Sequence, residues 1–147
     1  MTRYWILIAE SSRADLFSMD DKLGELKELD CFVHPASRAH TVELTTDTPG
    51  QGFDGKGAGQ HALSAGKSAT EQEAVAFARE MAMMLDRSRI DDKFDQLVVV
   101  SPPHFLGLLR KQFSTELTRL TAAEIDKNLV KSTRQEITQQ VHAALYQ

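Results

Sequence analysis

The sequence has little cysteine, no long apolar run and no excess of positive charge, and these absences narrow the class of protein. Cys31 is the only cysteine among 147 residues, so the chain forms no internal disulfide. The apolar run at residues 4–9 is too short for a signal-peptide core, and no run reaches the roughly 20 residues of a membrane helix. A formal net charge of −4 gives no overall field that attracts nucleic acid or anionic lipid. The sequence predicts one cytoplasmic domain, residues 1–147, outside the membrane.

The first part of the chain carries three β-strand signals. Residues 4–9 are continuously apolar, which is typical of a central strand covered on both faces. Residues 13–19 and 25–33 carry apolar side chains at strand spacing, and short turns join the three segments. Because Cys31 shares the parity of the apolar positions in the third segment, we expect it to pack as a small apolar residue. The pattern predicts an antiparallel three-strand meander.

A long stretch without periodicity follows the third strand. Residues 34–68 hold six of the eight glycines, and such a stretch predicts a functional or disordered loop. Pro49 and Gly50 suit the central positions of a type II turn, and Gly57 and Gly59 permit close approach of the backbone to a partner. The stretch matches no nucleotide-binding motif, so a flexible surface loop without a ligand is equally open. The loop residues that we assign to a binding role are Asp47, Pro49, Gly50, Gly57 and Gly59.

Helix signals begin after this loop. A capping-box pattern of Thr70 and Glu73 predicts a helix over residues 70–90. Three methionines at positions 81, 83 and 84 are expected to fill the core beneath it. The remaining predicted elements are a strand at 97–100, a helix at 104–113, a strand at 119–125 and a helix that begins at a capping box on Ser132.

The order of these elements defines the fold class. A meander followed by alternating helices and strands, βββαβαβα, predicts an α/β fold with a mixed five-strand sheet and helices packed on it. The RNase H-like arrangement is one named form of that order. The long glycine-rich loop then lies between the third strand and the first helix.

The carboxyl end of the fourth strand is a second candidate site, because ligands of α/β folds favour that edge of the sheet. Ser101, His104, Arg110 and Lys111 lie on or near this end. A metal site is a third alternative. Its ligands would be His34, His40 and His61 with Asp47 or Asp54, but their spacings match no recognised zinc pattern. The sequence therefore predicts no metal and no cofactor.

Several segments together resemble the bacterial host attachment protein family, described as proteins required for attachment to host cells. They occur in family order and cover nearly the whole chain. That family is in turn similar to the middle domain of archaeal and eukaryotic class I release factors, which is RNase H-like and carries a Gly-Gly-Gln loop after its third strand. Ala58-Gly59-Gln60 falls at that point here. The resembling segments are residues 5–9, 13–17, 32–35 with Arg38, 47–50, 53–54, 57–62 and 103–110.

The resemblance implies a translation-associated domain that contacts tRNA or the ribosome and hydrolyses peptidyl-tRNA esters. Gln60 would orient water and stabilise the developing oxyanion, with His61 as a polar helper. The phosphate contacts would be Arg38, Arg110 and Lys111. Two further functions stay open: a non-catalytic binding or adaptor protein, and a host-contact factor, as the family description states. The oligomeric state does not follow from the sequence.

Overall fold

The computed structural model describes residues 2–34 and 55–146, with side-chain surroundings from residue 69 onward in the second part. This part of the chain holds a five-strand open sheet and four helices. The prediction of a mixed α/β fold is confirmed. The elements are β1 (Arg3–Glu10), β2 (Arg13–Asp20), β3 (Lys27–Val33), α1 (Gly55–Ile90), β4 (Gln96–Val100), α2 (Pro103–Gln112), α3 (Thr115–Leu120), β5 (Thr121–Ile125) and α4 (Arg134–Leu145).

The strand order in the sheet is β3-β2-β1-β4-β5. β2 is antiparallel to both β1 and β3, whereas β4 is parallel to β1 and to β5. In the centre, Leu7 of β1 lies opposite Leu16 of β2 and Val99 of β4. β1 is therefore the middle strand, which explains why residues 4–9 are continuously apolar.

Helices cover both faces of the sheet and create two cores. Leu7 and Val99 point to the first face, where they pack with side chains of α1, α2 and α3 such as Phe77. Ile8 and Val100 point to the other face, where they pack with α4. Because successive side chains of a strand alternate between faces, each central strand contributes to both cores. The result is a three-layer arrangement of the described elements.

Helix α1 corrects the prediction of a loop over residues 34–68. Its backbone is helical from Gly55, so the predicted loop is wrong for residues 55–68, whereas residues 35–54 lie outside the described part. Four alanines between residues 58 and 69, with lysine, glutamine and leucine, have the helix propensity to offset the glycines. The capping-box pattern at Thr70 lies inside α1, because this local signature does not exclude a helix that has already begun.

Smaller corrections concern the ends of other elements. Residues 119–120 belong to helix α3 and not to the predicted fifth strand, because Ser114 caps this helix through its Oγ, which accepts from the Leu117 backbone N–H at 3.1 Å. The C-terminal capping box uses Thr133 and Glu136, one residue later than predicted. Cys31 is exposed on the edge strand β3, so its predicted packing is wrong.

Candidate functional site

The carboxyl ends of the parallel strands β1 and β4 lie at one edge of the sheet, which we call the carboxyl edge. Ser101 directly follows β4, and His104 stands in the first turn of α2. His34 directly follows β3, and its backbone N–H donates to the Ser12 carbonyl in the β1–β2 turn at 3.0 Å. The topology thus places at the same end of the sheet three polar residues that the sequence separates by as many as 70 positions.

His34 is buried between two carboxylates of α1. The residue is only 8% exposed, its Nε2 lies 2.8 Å from Glu73 Oε1, and its Nδ1 lies 3.7 Å from Glu80 Oε1. The ring centroid also lies 5.3 Å from that of Phe77, a fully buried residue of α1. These contacts fix the end of β3 against the middle of α1. Sequence reasoning considered His34 only as a metal ligand and did not identify its partners.

His104 makes the corresponding contact from the other side of the edge. Its Nε2 lies 2.8 Å from Glu71 Oε1, but its side chain is 70% exposed. The start of α2 is thereby joined to the same part of α1 that holds His34. We refer to the pairs His34–Glu73 and His104–Glu71 as the two His–Glu contacts.

Ser101 adds an unusual feature to the carboxyl edge. It is fully buried, and its backbone N–H donates to the Ile125 carbonyl at 2.9 Å, but its Oγ has no hydrogen-bond partner among the described residues. His34 Nδ1 is in the same situation. Buried polar atoms are nearly always hydrogen-bonded, so these two atoms are exceptions within the described part of the chain.

The described residues contain no group of three or more His, Cys, Asp or Glu side chains arranged to hold a metal ion. Of the ligands considered for a metal site, His40, Asp47 and Asp54 lie outside the described residues. The side chain of His61 is likewise not described, although its backbone is part of α1.

The other predicted site residues fall into two groups. Arg38, Asp47, Pro49 and Gly50 lie outside the described part of the chain. Four more stand in the helical backbone of α1, on the same helix as the glutamates of the His–Glu contacts. These four are Gly57, Gly59, Gln60 and His61.

Arg110, a predicted phosphate contact, has a partner within the protein. Its Nε donates to Glu124 Oε1 at 2.8 Å, and this hydrogen bond raises the pKa of the Arg110 guanidinium. The pair joins α2 to the edge strand β5, so a phosphate would have to compete with Glu124 for this guanidinium. Lys111, the neighbouring predicted contact, is exposed and has no ion pair among the described residues.

A second surface, which sequence reasoning missed, is a groove between α1 and the junction of α2 and α3. Asp86 in its wall accepts hydrogen bonds from Arg89 Nε at 2.8 Å and Ser114 Oγ at 2.9 Å. The Arg89 bond is the larger cause of the lowered pKa of Asp86. The groove has a volume of about 140 Å³, and its lining residues are Arg79, Ala82, Met83, Asp86, Gln112 and Ser114.

Four side chains follow one another along the outer face of α1, and the first two of them, Arg79 and Met83, line this groove. Arg79, Met83, Arg87 and Ile90 are spaced by four, four and three residues, so they form one stripe, which we call the α1 outer stripe. Met83 is 55% exposed and Ile90 is 69% exposed. Both arginines are exposed and form no ion pair with any described residue. The expectation that the methionines fill the core holds for the buried Met81 but is wrong for Met83.

The three layers and the polar carboxyl edge define an α/β protein with a mixed sheet. The family model described as "Protein required for attachment to host cells" matches residues 5–141, and the chain belongs to this family. No curated protein matches the sequence. None of the helices within the described residues is long and apolar enough to cross a membrane.

Proposed function

We propose that this chain is a cytoplasmic, partner-binding protein that supports the attachment of bacteria to host cells indirectly, by contact with another protein. The observation that carries the proposal is the α1 outer stripe, which combines two exposed apolar side chains with two arginines that form no ion pair within the described part of the chain. The family description supplies the biological process.

Helix α1 is well suited to present such a stripe. Its inner face is buried, with Phe77, Met81 and Leu85 fully inaccessible to solvent. The two His–Glu contacts hold this helix at the carboxyl edge. A surface held rigidly loses little conformational entropy when a partner binds. Arginine, methionine and aromatic residues are also the types that protein interfaces favour over the rest of the surface.

The test is an adhesion assay with a deletion strain of a bacterium that encodes the protein. The strain is complemented with the wild type, with the double variant Arg79→Glu/Arg87→Glu, or with the control Lys22→Glu/Lys131→Glu. The control makes the same charge change at two exposed lysines that have no ion pair among the described residues. Wild type and control are expected to restore the number of adherent bacteria, whereas the stripe variant is not.

Immunoblots of cell fractions complete this test. All three proteins should be present at equal levels in the cytoplasmic fraction. Full restoration of adhesion by the stripe variant, or wild-type protein located in the outer envelope or the medium, would show the proposal to be wrong.

A second candidate function is the translation-associated one, with tRNA or the ribosome as partner. The observation that favours it is the order of the described elements, a three-strand antiparallel meander followed by α1, β4, the helix pair α2 and α3, β5 and α4. This order supports an RNase H-like fold and hence the similarity to the release-factor middle domain. In this case Gln60 and His61 are the proposed catalytic residues, and Arg38, Arg110 and Lys111 the proposed RNA contacts. The helical backbone at Gln60 weighs against a loop tip at that residue.

Two measurements separate the candidates. Affinity purification of the tagged protein from cells should enrich one protein partner if the first proposal is right, and ribosomal RNA with ribosomal proteins if the second is right. Release of peptidyl-tRNA from stalled ribosomes that is lost in Gln60→Ala supports hydrolysis. Release that is unchanged in this variant removes Gln60 from the mechanism.

A further inference from the structure

We infer that the groove between α1 and the α2–α3 junction receives one apolar side chain of a protein partner, and that carboxylates flank this side chain in the partner. The inference rests on the proposed partner-binding function and gives the partner its chemistry. The occupant is an acidic, amphipathic segment of another protein.

The size of the groove argues for a single side chain. Pockets that hold small molecules usually measure about 300–1,000 Å³, whereas this groove has only about 140 Å³. Ala82 is among its lining residues and is 4% exposed. The small volume of the groove lies above the methyl group of this alanine. Met83, in the wall, has an unbranched and polarizable side chain that adapts to partners of different shape. The volume therefore fits one side chain, whose apolar contacts in the groove would be Ala82 and Met83, beside the polar lining of Asp86, Gln112 and Ser114.

The charges around the groove define what flanks that side chain. Arg79 and Arg87 each lie one helical turn from Met83, about 6 Å along α1 on either side. Neither arginine is neutralised by a described residue. The carboxylates next to them in sequence are Glu80, beside Arg79, and Asp86, beside Arg87. Glu80 Oε1 lies 3.7 Å from His34 Nδ1, and Asp86 is hydrogen-bonded to Arg89 and Ser114. The groove thus presents positive charge on both sides of an apolar centre.

This combination distinguishes a protein segment from a polyanion. A nucleic acid would meet the exposed apolar side chains of Met83 and Ile90, and it would be repelled by a chain whose net charge is −4. A helix with an apolar residue and glutamates or aspartates one turn before and after it complements all three positions. Such a helix would pair its carboxylates with the two arginines and place its apolar side chain beside Met83.

The test uses a phage-displayed library of random peptides and the purified full-length protein. Peptides are selected on the wild type after depletion on the Arg79→Glu/Arg87→Glu variant, and the recovered sequences are compared with the unselected library. We expect enrichment of peptides in which an apolar residue stands between acidic residues. A recovered pool without an acidic excess, or recovery of no wild-type-specific peptide, would overturn the inference.

Binding of one selected, fluorescently labelled peptide is then measured by polarisation. The stripe variant is expected to weaken binding about tenfold or more, as is typical when interface arginines are lost. Replacing the acidic residues of the peptide by glutamine should have a similar effect, and Met83→Ser a smaller one. The control Lys22→Glu/Lys131→Glu should bind as the wild type does. Equal binding to wild type and stripe variant contradicts the inference, provided that circular dichroism shows the variant to be folded.

The results keep this inference separate from the proposed function. Loss of bacterial adhesion in the stripe variant, together with selected peptides that carry no acidic excess, refutes the partner chemistry and leaves the proposed function standing. Full adhesion with the stripe variant, together with acidic peptides that bind the wild type, refutes the proposed function alone. A concentration-dependent dimer in analytical ultracentrifugation that Met83→Glu abolishes would identify the occupant as a second copy of this chain and overturn the inference.

Discussion

The two ends of the packed part of α1 are held by charged side chains, but with different chemistry. At the end near the start of β1 and β4, Arg3 binds Asp95 through two donors, Nε at 3.1 Å and Nη2 at 3.0 Å. The same guanidinium donates to the carbonyl and the carboxylate of Asp92, at 2.7 and 2.8 Å. At the carboxyl edge, the links are the two His–Glu contacts, each made by a single ring nitrogen at 2.8 Å.

The two ends of the packed part of α1 differ in how completely their described polar atoms are hydrogen-bonded. The Arg3 network fixes the turn after α1, in which Asp92 has a left-handed backbone with φ of 58°. A planar guanidinium is suited to this task because its donors lie in a fixed fork. The two buried polar atoms without a hydrogen bond among the described residues, Ser101 Oγ and His34 Nδ1, both belong to the carboxyl edge.

The largest expected effect is the loss of Phe77, which lies beneath the carboxyl edge. Its ring packs against His34 at 5.3 Å and Phe105 at 5.9 Å and is fully buried. Phe77→Ala is expected to lower the free energy of unfolding by about 3–5 kcal/mol, because it leaves a cavity in the core. Urea denaturation measures this loss.

Two matched variants sharpen that measurement. Phe94→Ala removes a ring that stacks on Trp5 at 4.9 Å near the opposite end of the sheet, and a similar loss is expected. Met83→Ala changes an exposed side chain and should stay within about 0.5 kcal/mol of the wild type. A loss below about 1 kcal/mol for Phe77→Ala would mean that the ring is not part of the core.

The next largest expected effect is a difference between the two His–Glu contacts in how much each contributes to the free energy of unfolding. Glu73→Ala leaves the Nε2 of the buried His34 without its partner and is expected to cost about 1–3 kcal/mol. Glu71→Ala removes the partner of His104, which is largely exposed, and should cost about 0–1 kcal/mol. Both values follow from urea denaturation at neutral pH. Equal losses would show that burial of His34 does not strengthen its contact.

The central strands β1 and β4 could be predicted from the sequence, because the signal for each strand lies in consecutive residues and agrees with the burial of that strand. Residues 4–9 and 97–100 are continuously apolar since both faces of β1 and β4 are covered, and short apolar runs of this kind are typical of buried central strands. The start of α1 could not be predicted in the same way. Glycines favour loops on average, while the alanines between them favour a helix, and composition alone does not decide between the two.

The candidate site was less accessible to prediction, because its partners come from distant segments. His34 and Glu73 are separated by 39 positions, and no spacing rule links them. Ser101 and His104 could be assigned to a candidate site from the sequence, because ligands of α/β folds favour this end of the strands. The α1 outer stripe carried a signal that was available: Arg79, Met83 and Arg87 follow helical spacing. The cluster of three methionines concealed it, because methionine is so often a core residue.

The smallest effect concerns the Arg3 network and its dependence on pH. The side-chain and backbone hydrogen bonds from Arg3 lower the pKa of Asp95 from 3.8 to about 2. The unfolded chain therefore binds a proton at this carboxylate before the folded chain does, and stability from it is complete above pH 3.8 and is lost as the pH falls toward 2. Asp95→Asn is expected to lower the melting temperature at pH 7 and to flatten the decline of the melting temperature between these two pH values.

The control is Asp91→Asn, which removes an exposed carboxylate without an ion pair among the described residues. Its melting temperature should decline as steeply as that of the wild type. Thermal unfolding followed by circular dichroism from pH 7 to pH 2 measures both. A decline for Asp95→Asn as steep as that of the wild type would mean that the network contributes no pH-dependent stability.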